Sequence, residues 1–170
     1  MIARRFRLTV IAGLLAGSAL ADDPRTVARD QQPAGVPSAA AMPTAPQVIA
    51  PEALRWYEPF GNDSLQAAWV LGTEAGPGAY LLRVRLKQGT RIPAHRHPDG
   101  RSTTVLKGQL YVGFGEQPDD SQLVLVPEGG VYVAPAGVAH FLWARDGEVV
   151  YQEAGVGPTA TLLVARPGSY

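Results

Sequence analysis

Ile92-Pro93-Ala94-His95-Arg96-His97-Pro98 is the stretch that decides how this chain is read. The protein has three histidines, and two of them stand here, one residue apart. Alternate side chains of an extended strand share a face, so His95 and His97 point one way and Arg96 the other. A helix would need spacings of three or four residues to bring two imidazoles together, and Pro93 and Pro98 bracket too short a run for one. The stretch is therefore read as a strand or its end, with two imidazoles placed to share a metal ion. The third histidine, His140, follows a Pro135-Ala136-Gly137 turn.

Outward from this strand the sequence is a series of short β-rich runs cut by turn residues. Ala79 to Leu86 puts Leu82, Val84 and Leu86 on one face and Arg83 and Arg85 on the other, and Gly89 then turns the chain into the histidine strand. Downstream, Thr103 to Leu106 leads through Gly108 into Gln109 to Phe114, a hairpin pattern. Runs over 123–126, 131–134, 138–143, 149–153 and 161–165 follow, separated by Pro118-Asp119-Asp120, Gly129-Gly130 and similar turns. Only the segment around Leu65 to Trp69 is ambiguous between strand and helix. The pattern predicts an all-β domain of eight to ten short strands, a sandwich or barrel.

The chain of 170 residues, 46% of them hydrophobic, suffices for one domain with a sizeable core. Residues 1–21 read as a secretory signal: Met1 to Arg7 is basic, Leu8 to Leu15 apolar, and Ala19-Leu20-Ala21 offers a small-residue cleavage site. The apolar run is shorter than the roughly 20 residues a bilayer span requires, so no stable membrane span is expected after cleavage. The expected location is the periplasm or the exterior. Residues 22–50, with prolines at 24, 33, 37, 43 and 46, read as a disordered tether, and residues 51–170 as the folded domain. Losing residues 1–21 removes three arginines and no acid, taking the formal charge from 0 to −3, which leaves no basic face for nucleic acid. The absence of cysteine excludes disulfides and thiol chemistry, so any metal site must use nitrogen and oxygen ligands.

Gly89-(five residues)-His95-Arg96-His97, followed by Gly108, and Gly129-(five residues)-Pro135-Ala136-Gly137-(two residues)-His140 resemble the two signature motifs of the cupin superfamily. The resemblance covers roughly residues 75 to 165. It implies a jelly-roll barrel, a double-stranded β-helix, holding a divalent metal, Fe(II), Zn, Ni, Mn or Cu, on His95, His97 and His140. The alternative is three satisfied core imidazoles in a barrel without metal. The sequence departs from the family pattern where a glutamate ligand is usual and Arg101 stands, and where an asparagine is usual and Ala144 stands.

A divalent ion and a guanidinium about 5 Å apart repel by roughly 7 kcal/mol at an effective dielectric of 20. Arg101 is therefore expected either to turn outward to water or to hold an anionic ligand that itself binds the metal. An all-histidine site resembles the thiol and diketone dioxygenase branch of the family. That resemblance implies oxygen insertion into, or isomerisation of, a small anionic molecule, with Tyr111 or Gln152 as the side chains that orient it. The competing reading is a non-catalytic cupin that carries or senses a metal or metabolite. Pairing as homodimers is a family expectation.

Overall fold

Strand-forming runs become a barrel here because each buries alternate side chains. In the computed structural model, which describes residues 43–164, ten strands are present. They are β1 (Leu65–Leu71), β2 (Gly78–Leu86), β3 (Arg91–Arg96), β4 (Arg101–Lys107), β5 (Leu110–Phe114), β6 (Val124–Val126), β7 (Val131–Ala134), β8 (His140–Trp143), β9 (Val149–Gly157) and β10 (Leu162–Leu163). The ambiguous segment at Leu65 is thus strand, and the only helical pieces among the described residues are two 3-10 turns, Pro51–Ala53 and Asp120–Gln122. The signal reading and most of the tether lie outside the described residues. Residues 43–50 form neither helix nor strand.

Two five-stranded antiparallel sheets form, ordered β1-β2-β9-β4-β7 and β10-β3-β8-β5-β6. Their facing sides enclose a core that includes Leu65, Val84, Leu86, Val105, Leu110, Val112, Leu142, Val149 and Tyr151. Burying such aliphatic side chains stabilises by about 1.5–3 kcal/mol each. The first sheet also turns polar groups inward: Arg101 and Thr103 alternate with exposed or half-buried neighbours on β4, and Glu153 continues the buried row Val149, Tyr151 on β9. Two turns fix the chain's course near the histidines. Gly137 takes φ of 75°, a left-handed conformation suited to glycine, and its N–H donates to the His97 carbonyl at 2.8 Å. The turn that precedes His140 is thereby anchored to the residue that ends the first histidine pair.

Candidate metal centre

His95 and His140 are direct cross-strand partners on β3 and β8. Opposed residues on one face place their Cβ atoms about 4.5–5.5 Å apart, so two distant sequence positions arrive side by side. The β3 register slips between Ile92 and His95, where Pro93 has no N–H to give to the ladder, and this bulge sets the phase in which His95 faces inward. His97 lies just beyond the strand. All three rings are buried, with centroids 4.3 Å (His95–His140), 5.0 Å (His95–His97) and 5.3 Å (His97–His140) apart. One ring nitrogen from each lies within 4.8 Å of the others.

The backbone fixes which nitrogen is offered. The Nδ1 atoms of His95, His97 and His140 meet the carbonyls of Pro93 (2.8 Å), Ala160 (3.1 Å) and Val138 (3.2 Å). A carbonyl only accepts, so each Nδ1 carries the proton and each Nε2 is left with a lone pair. The Nε2 atoms of His97 and His140 are buried and have no hydrogen-bond partner. Burial pushes the His95 ring down to about 4 and the His97 ring to about 3, and lowers His140 as well, with the Arg101 charge acting in the same direction on all three. Three neutral imidazoles, oriented by carbonyls on their far nitrogens, are the donor set a divalent transition metal takes. The residues present could hold such an ion.

Arg101 departs from both expectations. Its guanidinium is neither solvated nor free: with 1% of the side chain exposed, it pairs with Asp99 at 2.8 Å, Glu153 at 3.2 Å and Glu74 at 3.7 Å. Tyr80 and Thr159 donate to Asp99 at 2.8 and 2.6 Å. Burial would raise the Asp99 carboxyl, but these hydrogen bonds and Arg101 bring it below its usual range, so Asp99 is ionised and alone cancels the Arg101 charge. Burial raises Glu153 and Glu74 in spite of the guanidinium; ionised they add negative charge, protonated they add none. In no protonation state does the cluster keep a positive charge for an anion. The physical reason is the β4–β9 pairing, which sets Glu153 opposite Thr103 and supplies a carboxylate from 52 residues along the chain.

Tyr111 and Gln152 do not join the histidines. The Tyr111 hydroxyl donates to Asp146 at 2.6 Å and accepts from Arg145 at 2.5 Å, with the Arg145 guanidinium 3.8 Å from its ring centroid. Gln152 accepts from Arg83 at 2.8 Å and alternates with the inward Tyr151 and Glu153, so it faces outward. Tyr132, whose ring centroid lies 6.1 Å from that of His140, and its buried neighbours Thr103 and Glu153 are residues that the sequence does not single out. Their signal in the sequence is only the alternation of their strands.

No family model matches the chain. Among curated proteins it is similar to germin-like protein subfamily 3 member 2 of Arabidopsis thaliana, 36% identical over 67 residues, which are 38% of this chain and 29% of that protein. The chain spans about a third of the length of the curated relatives it matches. Among solved structures it is similar to the polyketide cyclase RemF of Streptomyces resistomycificus (TM-score 0.60, 13% identity, 73% of this chain and 89% of that one). It also matches the DMSP lyase DddQ of Ruegeria pomeroyi (TM-score 0.57, 18% identity, 69% and 64%) and an RmlC-like cupin of Shewanella frigidimarina (TM-score 0.53, 14% identity, 72% and 95%). Two antiparallel five-stranded sheets, a histidine pair at the end of one strand answered by a third histidine on its neighbour, and these likenesses lead to one conclusion: the chain has the fold of the cupin superfamily.

Proposed function

We propose that this protein is an exported cupin that binds one divalent transition metal on His95, His97 and His140 and acts there on a small molecule by oxygen insertion or isomerisation. The observation that carries the reading is the set of three buried rings whose Nε2 atoms are freed for coordination by carbonyls on Nδ1. When bound, the ion supplies Lewis acidity and coordination positions that three protein ligands leave open. The chain's own part is to keep the rings neutral, to fix their tautomer, and to surround them with a wall that water reaches poorly. The structural relatives are named for different chemistries, a cyclase and a lyase, so no single reaction is carried over from them.

Arg101 favours a second reading. It stands where the family resemblance expects a carboxylate ligand, and its charge is bound up in acids. A non-catalytic protein that carries or senses a metal or metabolite would suit such a site. Protein loaded with Fe(II) separates the two: oxygen uptake on addition of small thiols, diketones or related compounds supports the enzyme, and metal retention without turnover of any of them supports the carrier. Detection of the mature chain, cut after Ala21, in the periplasm or medium tests the export that both readings assume.

A further inference from the structure

The outer face of the first sheet, turned away from the barrel interior, carries a groove of about 450 Å³. Its apolar walls are Leu106 and Val150 from the sheet and Leu54 and Trp56 from the segment before β1; its polar members are Arg83, Arg85 and Lys107, and no acidic residue lines it. Strand pairing explains the arrangement. Arg85 of β2 and Lys107 of β4 are both register partners of Val150 on β9, so two cations flank one apolar side chain. Arg83, two residues before Arg85, shares its face, while Val84 and Leu86 between and after them are buried in the core. Lys107 is matched by Glu148 at 3.0 Å. Arg83 and Arg85 meet no carboxylate among the described residues; they donate instead to the uncharged amide oxygens of Gln152 at 2.8 Å and Gln66 at 3.3 Å. Arg83 Nε is buried without a hydrogen-bond partner, and the Arg85 guanidinium lies 4.4 Å from the Trp56 ring centroid. The formal charge of the chain is 0, so this excess of positive charge is local. Two half-buried guanidiniums on one strand face repel each other, and an unpaired buried donor is costly; an anion between them offsets both.

We infer that this groove is a binding site, separate from the histidine centre, for a small anion with a flat aromatic body. Arg83 and Arg85 receive its acidic group, since the planar fork of a guanidinium matches the two oxygens of a carboxylate. The body packs against Trp56, Leu54, Leu106 and Val150, where an aromatic ring meets apolar surface and a second ring. A groove of this size falls within the roughly 300–1,000 Å³ usual for small-molecule sites. A bare inorganic anion would leave the apolar walls unused, and an uncharged aromatic would leave the guanidiniums unmatched. No histidine lines the groove, so the inference does not rest on the metal-binding reading above.

The test is calorimetric titration of the full chain, stripped of metal by chelator, with three probes: 2-naphthoate, its uncharged amide 2-naphthamide, and acetate. Wild type should bind 2-naphthoate at least about tenfold more tightly than either of the others, the scale of one hydrogen bond to a charged group. Arg83→Gln and Arg85→Gln, changes on the outer face that leave the core intact, should each weaken 2-naphthoate by about tenfold and leave 2-naphthamide within about twofold, with a melting temperature near that of wild type. Acid and amide bound equally by wild type, or no binding of 2-naphthoate at millimolar concentration, would overturn the inference, and that comparison needs no variant. Equal losses of acid and amide in both variants would also overturn it, because the arginines would then only hold the groove's shape. Reloading with Co(II) separates the two sites: unchanged binding of 2-naphthoate supports the groove, and binding confined to the loaded protein would place the probe on the histidines and contradict the inference.

Discussion

Replacing Arg101 with methionine keeps most of the side chain's apolar volume and deletes only the guanidinium. The carboxylates then lose their cation: Glu153, with 6% of its side chain exposed, loses the hydrogen bond it receives at 3.2 Å, and Asp99, 11% exposed, loses the one at 2.8 Å. Asp99 keeps its donors Tyr80 and Thr159, so Glu153 bears most of the damage. Removing one member of a buried ion pair costs about 3–5 kcal/mol. The sign of the pH dependence follows from Glu153, whose carboxyl is already raised above its unfolded value by burial. Such a group takes stability away as pH rises above the unfolded value, and without Arg101 that loss deepens. The deficit of the variant should be largest at pH 7 to 8 and should narrow toward pH 5. Urea unfolding of metal-free protein, followed by tryptophan fluorescence, should show the midpoint lower by about 1.5–2.5 M at pH 7, for a slope of about 2 kcal/mol per molar. A drop under about 0.5 M at pH 7, or a deficit that grows toward pH 5, would refute the reasoning, because it would mean that the guanidinium is solvated after all.

Two further outcomes follow from named contacts. The His95 and His97 rings, pushed down to about 4 and about 3, are neutral at pH 6, and burial lowers His140 too, so metal loading at pH 6 should release fewer than about one proton per ion, whereas three solvent-like imidazoles with pKa about 6.5 would release about two. Calorimetric titration in buffers of different ionisation enthalpy measures this number. Gly113 on β5 lies under the Phe141 ring, and a Cβ there would come within 2.1–2.6 Å of three ring carbons. Gly113→Ala should therefore destabilise by about 1–3 kcal/mol through overpacking, seen as a lower melting temperature, and a melting temperature equal to wild type would show that the ring has room to move.

What could be read from the sequence was what lies close along the chain. His95 and His97 sit two residues apart, and the Pro-Ala-Gly turn before His140 marks the start of another strand, so the trio was visible once the two motifs were set side by side. The alternation of Leu82, Val84 and Leu86 gave the inward face of β2. What could not be read was pairing at long range and strand phase. Glu153 reaches Arg101 only because β9 lies between β2 and β4, an arrangement that spacing does not encode. In the run Val149 to Ala154, Gln152 stood out as the uncharged polar residue, but the β9 phase turns Tyr151 and Glu153 inward and Gln152 out. Tyr111 misled for a similar reason: its strand faces the core, but its hydroxyl reaches Asp146 and Arg145 beyond the strand's end. Arg101 was judged against solvent and ligand, without the acids that surround it. The meeting of Thr103 and Tyr132 depends on both β4 phase and β4–β7 register, neither of which one sequence displays.

The central claim is that three imidazoles from β3, its end and β8 bind one ion. Elemental analysis of the full chain, purified without chelator beside a His140→Ala variant of the same expression, tests it most directly. The account requires close to one equivalent of a divalent transition metal in wild type and under about a tenth in the variant, since losing one of three ligands removes most of the affinity. Wild type with less than a tenth of an equivalent after exposure to excess metal, or a variant that retains as much as wild type, would contradict it.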